Sequence, residues 1–134
     1  MKVLLDTNIC IYIIKQKPPE VLQRFTTFAV GEVTVSSVTA AELAYGAQKS
    51  QRAAQNQQAV EQFLLPLVVA EFDYAAALVY GRIRAHLERQ GTPIGALDIF
   101  IAAHALQLGV PLVTNNTREF SRVPGLPVEN WVVP

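Results

Sequence analysis

Residues 3–15 read Val3-Leu4-Leu5-Asp6-Thr7-Asn8-Ile9-Cys10-Ile11-Tyr12-Ile13-Ile14-Lys15, and this stretch decides the fold. Val3 to Leu5 is a short apolar run that stops at an acid, which reads as a buried strand. The spacing then predicts a helix over Asn8–Lys15 that is apolar on every side, so it must bury more than one face. A strand with no polar face, handed straight to a helix, belongs in a parallel sheet covered on both sides.

The same alternation recurs downstream. Further strands are expected at Val33–Ser37, Leu67–Ala70 and Pro111–Thr114, with helices over Pro19–Phe28, Thr39–Lys49, Gln51–Leu65, Asp73–Gln90 and Ala96–Leu108. Gly91 and Gly109 act as stop signals for the last two helices. Ala76, Val79, Tyr80, Ile83 and Leu87 form one apolar stripe on the helix from Asp73. The tail Val123–Pro134 is expected to add a short edge strand. No repeat or linker divides the chain. The expected fold is α/β: a three-layer α/β/α sandwich around a parallel sheet of four to five strands, one domain over residues 1–134.

Composition agrees. The 134 residues are 51% hydrophobic and 16% charged, which excludes a disordered chain. One cysteine, Cys10, cannot form an internal disulfide and reads as a small buried hydrophobe. No apolar run is long enough to span a bilayer, and Met1-Lys2 leads into the first strand without a signal-peptide pattern. A cytoplasmic protein with no membrane partner is expected. Eleven basic residues balance eleven acidic ones, so net charge does not announce a nucleic-acid binder. If a divalent ion neutralised three of the acids, eleven positive charges would face eight negative.

Three acids and an amide stand out by position. Asp6 ends the first strand, and Glu42 falls in the first turn expected after the second. Asp98 lies near the start of the helix after Gly95, and Asn116 follows the fourth strand. In a parallel sheet these strand ends and helix starts share one edge, where ligands bind. Each residue also has a local reading. Thr39-Ala40-Ala41-Glu42 matches a capping box, Asp98 suits a helix dipole, and Asn116 is a common turn residue. Together the acids would repel one another without a cation. Hard oxygen ligands suit Mg²⁺ or Mn²⁺, and such an ion polarises a phosphodiester and activates the attacking water. Metal-assisted phosphodiester hydrolysis is the chemistry that this layout serves.

Four blocks in order, each at a strand–helix junction, carry a family resemblance. They are Leu4-Leu5-Asp6-Thr7-Asn8, Ser36-Ser37-Val38-Thr39-Ala40-Ala41-Glu42-Leu43, Gly95-Ala96-Leu97-Asp98-Ile99-Phe100-Ile101-Ala102-Ala103-His104-Ala105, and Leu112-Val113-Thr114-Asn115-Asn116-Thr117-Arg118-Glu119-Phe120. The chain resembles the PIN-domain ribonucleases, and more narrowly the VapC-type toxins of bacterial toxin–antitoxin pairs, over nearly its whole length. The resemblance implies a Mg²⁺-dependent endoribonuclease, with Mn²⁺ able to substitute. Such an enzyme cuts structured RNA, often tRNA, and stops translation. It further implies a homodimer and a VapB-type antitoxin that folds partly on the toxin and blocks its cleft. By position, Asp6, Glu42 and Asp98 match the metal ligands. The fourth position, frequently Asp in the family, is Asn116 here, and Glu119 stands three residues on as a source of the missing carboxylate. Thr7 and Thr114 match small hydroxyl positions beside the metal, and Arg118 is placed to meet substrate.

Other residues carry less. His104 falls a third of a turn off the Asp98 face and reads as a packed or surface histidine. Arg82, His86 and Arg89 form a polar stripe open to RNA phosphates or simply to solvent. Haloacid-dehalogenase-like phosphatases want a second Asp where Asn8 stands, and a receiver domain wants an acidic pair and a lysine that are not found. A non-catalytic PIN-like module binding RNA or protein is the alternative, separable by metal-dependent turnover.

Overall fold

The computed structural model describes residues 1–133; the end of the expected tail strand, Pro134, lies outside the described residues. In chain order the elements are β1 (Val3–Leu5), α1 (Thr7–Lys15), α2 (Pro19–Phe25), β2 (Val33–Ser36), α3 (Ser37–Lys49) and α4 (Ala53–Leu64). Then come β3 (Val68–Ala70), α5 (Tyr74–Arg89), α6 (Ala96–Leu108), β4 (Leu112–Val113), α7 (Thr117–Phe120) and β5 (Val128–Glu129). All strand pairs are parallel, in the order β3-β2-β1-β4-β5. The expected sandwich is present, and its sheet has five strands.

β1 shows why the sheet must be covered twice. Val3 and Leu5 pack into one core with Ile9, Cys10, Ile13, Val21, Leu43 and Val60, so α1 to α4 cover that face. Leu4 points the other way, into a second core with Ile83 and Leu87 of α5 and Ile99 and Ile101 of α6. Successive strand side chains alternate faces, so an all-apolar strand feeds two layers. Helix α6 is itself buried along most of its length, including Ala102, Ala103, His104 and Ala105.

Several boundaries differ from expectation, each for a local reason. Helix α3 begins at Ser37 rather than Thr39, because the Ser36 hydroxyl accepts the Val38 N–H at 3.1 Å and caps the helix two residues early. Helix α2 stops at Phe25 rather than Phe28; the hydroxyls of Thr26 and Thr27 donate to the Gln23 and Arg24 carbonyls and satisfy its open end. β3 was expected as a buried strand, but it is an edge strand with Val68 and Val69 36% and 41% exposed. The short helix α7 was not anticipated. β5 supplies the expected edge strand from the tail. Among the described residues, no helix is long and apolar enough to cross a membrane.

Candidate active site

The C-terminal ends of β1, β2 and β4 meet the starts of α1, α3, α6 and α7, and the acids gather there. Asp6 follows β1 and is only 4% exposed. It caps α1, with Oδ1 accepting the Ile9 N–H at 2.8 Å. The Thr114 hydroxyl donates to the same carboxylate and accepts the Asn116 N–H at 2.9 Å. Burial raises the Asp6 pKa, the hydrogen bonds from Thr114 and Ile9 oppose that rise, and the Glu42 charge adds to it. Asp6 therefore has a structural task as well as a position at the site.

Glu42 corrects the capping-box reading. With Ser36 as the cap, Glu42 lies in the second turn of α3, and Thr39 is a buried helical residue. The Glu42 carboxylate is free to face α1, where Oε1 accepts the Thr7 hydroxyl at 2.7 Å. Thr7 also lies 3.4 Å from the Thr39 hydroxyl. Thr7, a position expected beside the metal, orients one of the acids through this bond. Replacing Thr7 with Val keeps the shape but removes the donor. RNA cleavage by that variant is expected to fall about tenfold with little change in melting temperature.

Asp98 stands in the first turn of α6. Its pKa is pushed up to about 6, first by partial burial and then by the negative charges of Glu119, Asp6 and Glu42; a hydrogen bond with Glu119 acts the same way. Gly95 gives this carboxylate its room, since a Cβ there would sit 3.3 Å from Asp98 Oδ2. The Gly95 backbone (φ −54°, ψ 143°) is open to any residue, so alanine would press on Asp98 without straining the chain. Gly95→Ala is expected to lower turnover about tenfold while the melting temperature moves by less than about 2 °C.

Asn116 precedes α7 and donates from Nδ2 to Glu119 Oε2 at 2.8 Å. The departure from the family's usual acid thus leaves an amide that holds a neighbouring acid in place. Glu119 faces both Asn116 and Asp98. Arg118, one residue earlier, is exposed to solvent.

Asp98 feels the charges of Glu119, Asp6 and Glu42, and Asp6 feels that of Glu42; among the described residues none of the four takes part in an ion pair. That uncompensated charge and the all-oxygen donor set fit a hard divalent cation. Among the described residues, no three potential ligands are already drawn closely enough to hold one, so binding would tighten the cluster. Beside it, a cleft of about 360 Å³ runs between α1, α3 and α4, from Glu42 past Ile11, Ile14 and Leu43 towards Asn56. Ile11, Ile14 and Lys15 of α1 form one of its walls. Cys10 lies on the inner face, fully buried, as expected of a small hydrophobe.

A sandwich of this topology with acids on its C-terminal edge defines a class, and the family comparison gives it a name: residues 3–126 match the PIN domain, and the chain belongs to that family. Within it, the chain falls among the VapC ribonucleases. It is 50% identical over 131 residues to the tRNA(fMet)-specific endonuclease VapC of Shigella flexneri, covering 98% of each chain. It is 49% identical to Ribonuclease VapC2 of Haemophilus influenzae, covering 98% of this chain and 99% of the relative. Among solved structures, the DNA-bound VapBC of Salmonella typhimurium superposes with a TM-score of 0.93 at 45% identity, covering 98% of this chain and 99% of that one.

Proposed function

We propose that this chain is a Mg²⁺-dependent endoribonuclease toxin acting on tRNA, with Mn²⁺ able to replace Mg²⁺. The observation that carries the reading is that Asp98 feels the charges of Glu119, Asp6 and Glu42 on the ligand-binding edge of the sheet, with none of the four in an ion pair among the described residues. The names of the Shigella flexneri and Salmonella typhimurium relatives support tRNA, and initiator tRNA in particular, as the substrate class. Asp6, Glu42 and Asp98 would hold the ion, with Asn116 and Glu119 closing the fourth side. When bound, the ion would supply charge stabilisation at the scissile phosphate and a nucleophile at neutral pH. The chain's own part is orientation. Thr7 fixes the Glu42 carboxylate and Thr114 fixes that of Asp6. Asn116 holds Glu119, while exposed Arg118 offers a guanidinium to RNA phosphate.

The solved neighbours are VapBC complexes, which supports inhibition by a VapB-type antitoxin here. The cleft between α1, α3 and α4 suits such a segment: its walls are mostly apolar, with Lys15, Ser50 and Asn56 among them, and Glu42 is part of its lining. A basic group there would compete with the metal for the same charge. Exposed Tyr74 and Leu78 of α5 offer an apolar patch that supports the homodimer. A tRNA substrate would be met in the cytoplasm, which supports that location for this chain.

The test is cleavage of a folded tRNA pool by the purified, antitoxin-free chain. Cutting at discrete sites is expected with Mg²⁺ or Mn²⁺, is lost in chelator and returns when metal is restored. No cutting with either metal by a folded protein would support the non-catalytic binding module instead.

A further inference from the structure

His104 and Ser36 are both fully buried, and His104 Nδ1 lies 2.8 Å from Ser36 Oγ across 68 positions of sequence. Ser36 has two tasks. It is the last residue of β2 and the cap of α3, its Oγ accepting the Val38 N–H at 3.1 Å. The hydroxyl keeps its proton and a second lone pair, so it can pair with Nδ1 in either tautomer of the ring. Nε2 has no hydrogen-bond partner among the described residues; burial lowers the ring's pKa, and the Asp73 charge and the Glu71 backbone only partly oppose it. Phe72 holds the ring from another side. Its aromatic ring meets His104 edge-on at 5.3 Å, and its N–H donates to Ser37 Oγ at 3.0 Å.

The elements joined are those that carry the acids. Helix α3 presents Glu42 and α6 presents Asp98, and the bond between Ser36 and His104 ties the start of α3 to the middle of α6. Both cores pack through non-directional apolar contacts, which resist separation of helices better than sliding. A buried, oriented hydrogen bond resists sliding as well. We propose that His104 is a positioning residue which, through Ser36, fixes the separation of Glu42 and Asp98 and so prepares the acidic site for its cation. The inference rests on the metal-dependent reading of the site, but the separation itself is a property of the chain alone.

Two variants test it. His104→Phe keeps the aromatic packing against Phe72 and removes the bond to Ser36. His104→Asn is smaller, yet its side-chain amide carries a polar atom close to the position of Nδ1. Thermal melts establish that both fold. Three readouts then apply: the Glu42–Asp98 separation in metal-free crystal structures, Mn²⁺ affinity by titration calorimetry, and kcat against KM on tRNA. In His104→Phe the separation is expected to change by about 1 Å, Mn²⁺ affinity and kcat to fall about 10- to 100-fold, and KM to hold. His104→Asn is expected to recover most of the loss although its packing is worse. An unchanged separation and Mn²⁺ affinity in His104→Phe would overturn the proposal. So would equal losses in both variants, since packing alone would then account for them. If wild type neither binds Mn²⁺ nor cuts tRNA, the proposed function fails, and the separation still decides the clamp.

Discussion

Asp98→Asn melts above wild type in chelator at pH 7.5 and is inactive: this pair of effects is the expected result for the acid that the fold holds at greatest cost. Its carboxyl, an ordinary acid near 3.8 when free, is pushed up to about 6 by burial and by the charges of Glu119, Asp6 and Glu42. A group whose folded pKa lies above its unfolded one binds more protons in the folded state, so stability falls as pH rises. Below about pH 4 the group is protonated in both states and imposes no cost. The cost grows as pH rises towards 6 and is complete above about pH 7. A two-unit shift corresponds to roughly 3 kcal/mol. Because Asp98 is only partly buried, solvent screening reduces this to about 1–2 kcal/mol. Asparagine removes the charge, so the melting temperature should rise by about 3–8 °C at pH 7.5 and converge with wild type near pH 4. Adding Mg²⁺ should stabilise wild type and leave the variant nearly unmoved. Cleavage should fall on the order of a thousandfold or more, the scale of several kcal/mol of lost charge stabilisation. A variant that melts below wild type at pH 7.5, or keeps activity, would show that Asp98 is placed for stability.

Asp6 should behave differently, and two substitutions separate its tasks. Its carboxylate caps α1 through the Ile9 N–H and receives the Thr114 hydroxyl. Asparagine is a good helix cap, so Asp6→Asn keeps both partners within reach and removes a buried charge whose pKa the fold has raised. Asp6→Ala strands the Ile9 N–H and the Thr114 hydroxyl in a site that is nearly closed to solvent. Losing the cap costs about 0.5–2 kcal/mol, and unpaired buried groups cost about 1–3 kcal/mol each before any relaxation. Both variants are expected to lose cleavage on the order of a thousandfold. Only Asp6→Ala should melt well below wild type, while Asp6→Asn melts at or above it. Urea denaturation at pH 7.5 with a tRNA cleavage assay reads both. Equal stability of the two variants would remove the cap from the argument.

The edge of the sheet was legible in sequence at Leu5–Asp6, where a strand pattern switches abruptly to a helix; Asp98 follows no strand, since α6 comes after α5, and only the helix start at Ala96 marked it. A strand end in a parallel sheet has only one place to go. Asp6, Glu42 and Asp98 could therefore be singled out before any coordinates. The role of Glu42 within its helix could not. Thr39-Ala40-Ala41-Glu42 and Ser36-Ser37 both offer caps, and spacing does not say which hydroxyl the helix uses. The four residues of α7 are too few for any periodicity, so the link from Asn116 to Glu119 was beyond reach. His104 was placed correctly off the acidic face, but its bond to Ser36 joins residues far apart in sequence. The exposure of β3 was also hidden. Its apolar composition matches a central strand, and only its place in the strand order makes it an edge.

The parallel pairing of β1 with β4 has a consequence for synthesis. Leu5 sits beside Val113, so two walls of the acidic site come from residues made more than a hundred positions apart. A ribosome adds residues one at a time, and contacts of such long sequence separation close late. While the chain is still growing, Asp6 has neither Thr114 nor Glu119 beside it. A complete acidic site is thus withheld from every copy that has not yet reached β4, by strand order alone.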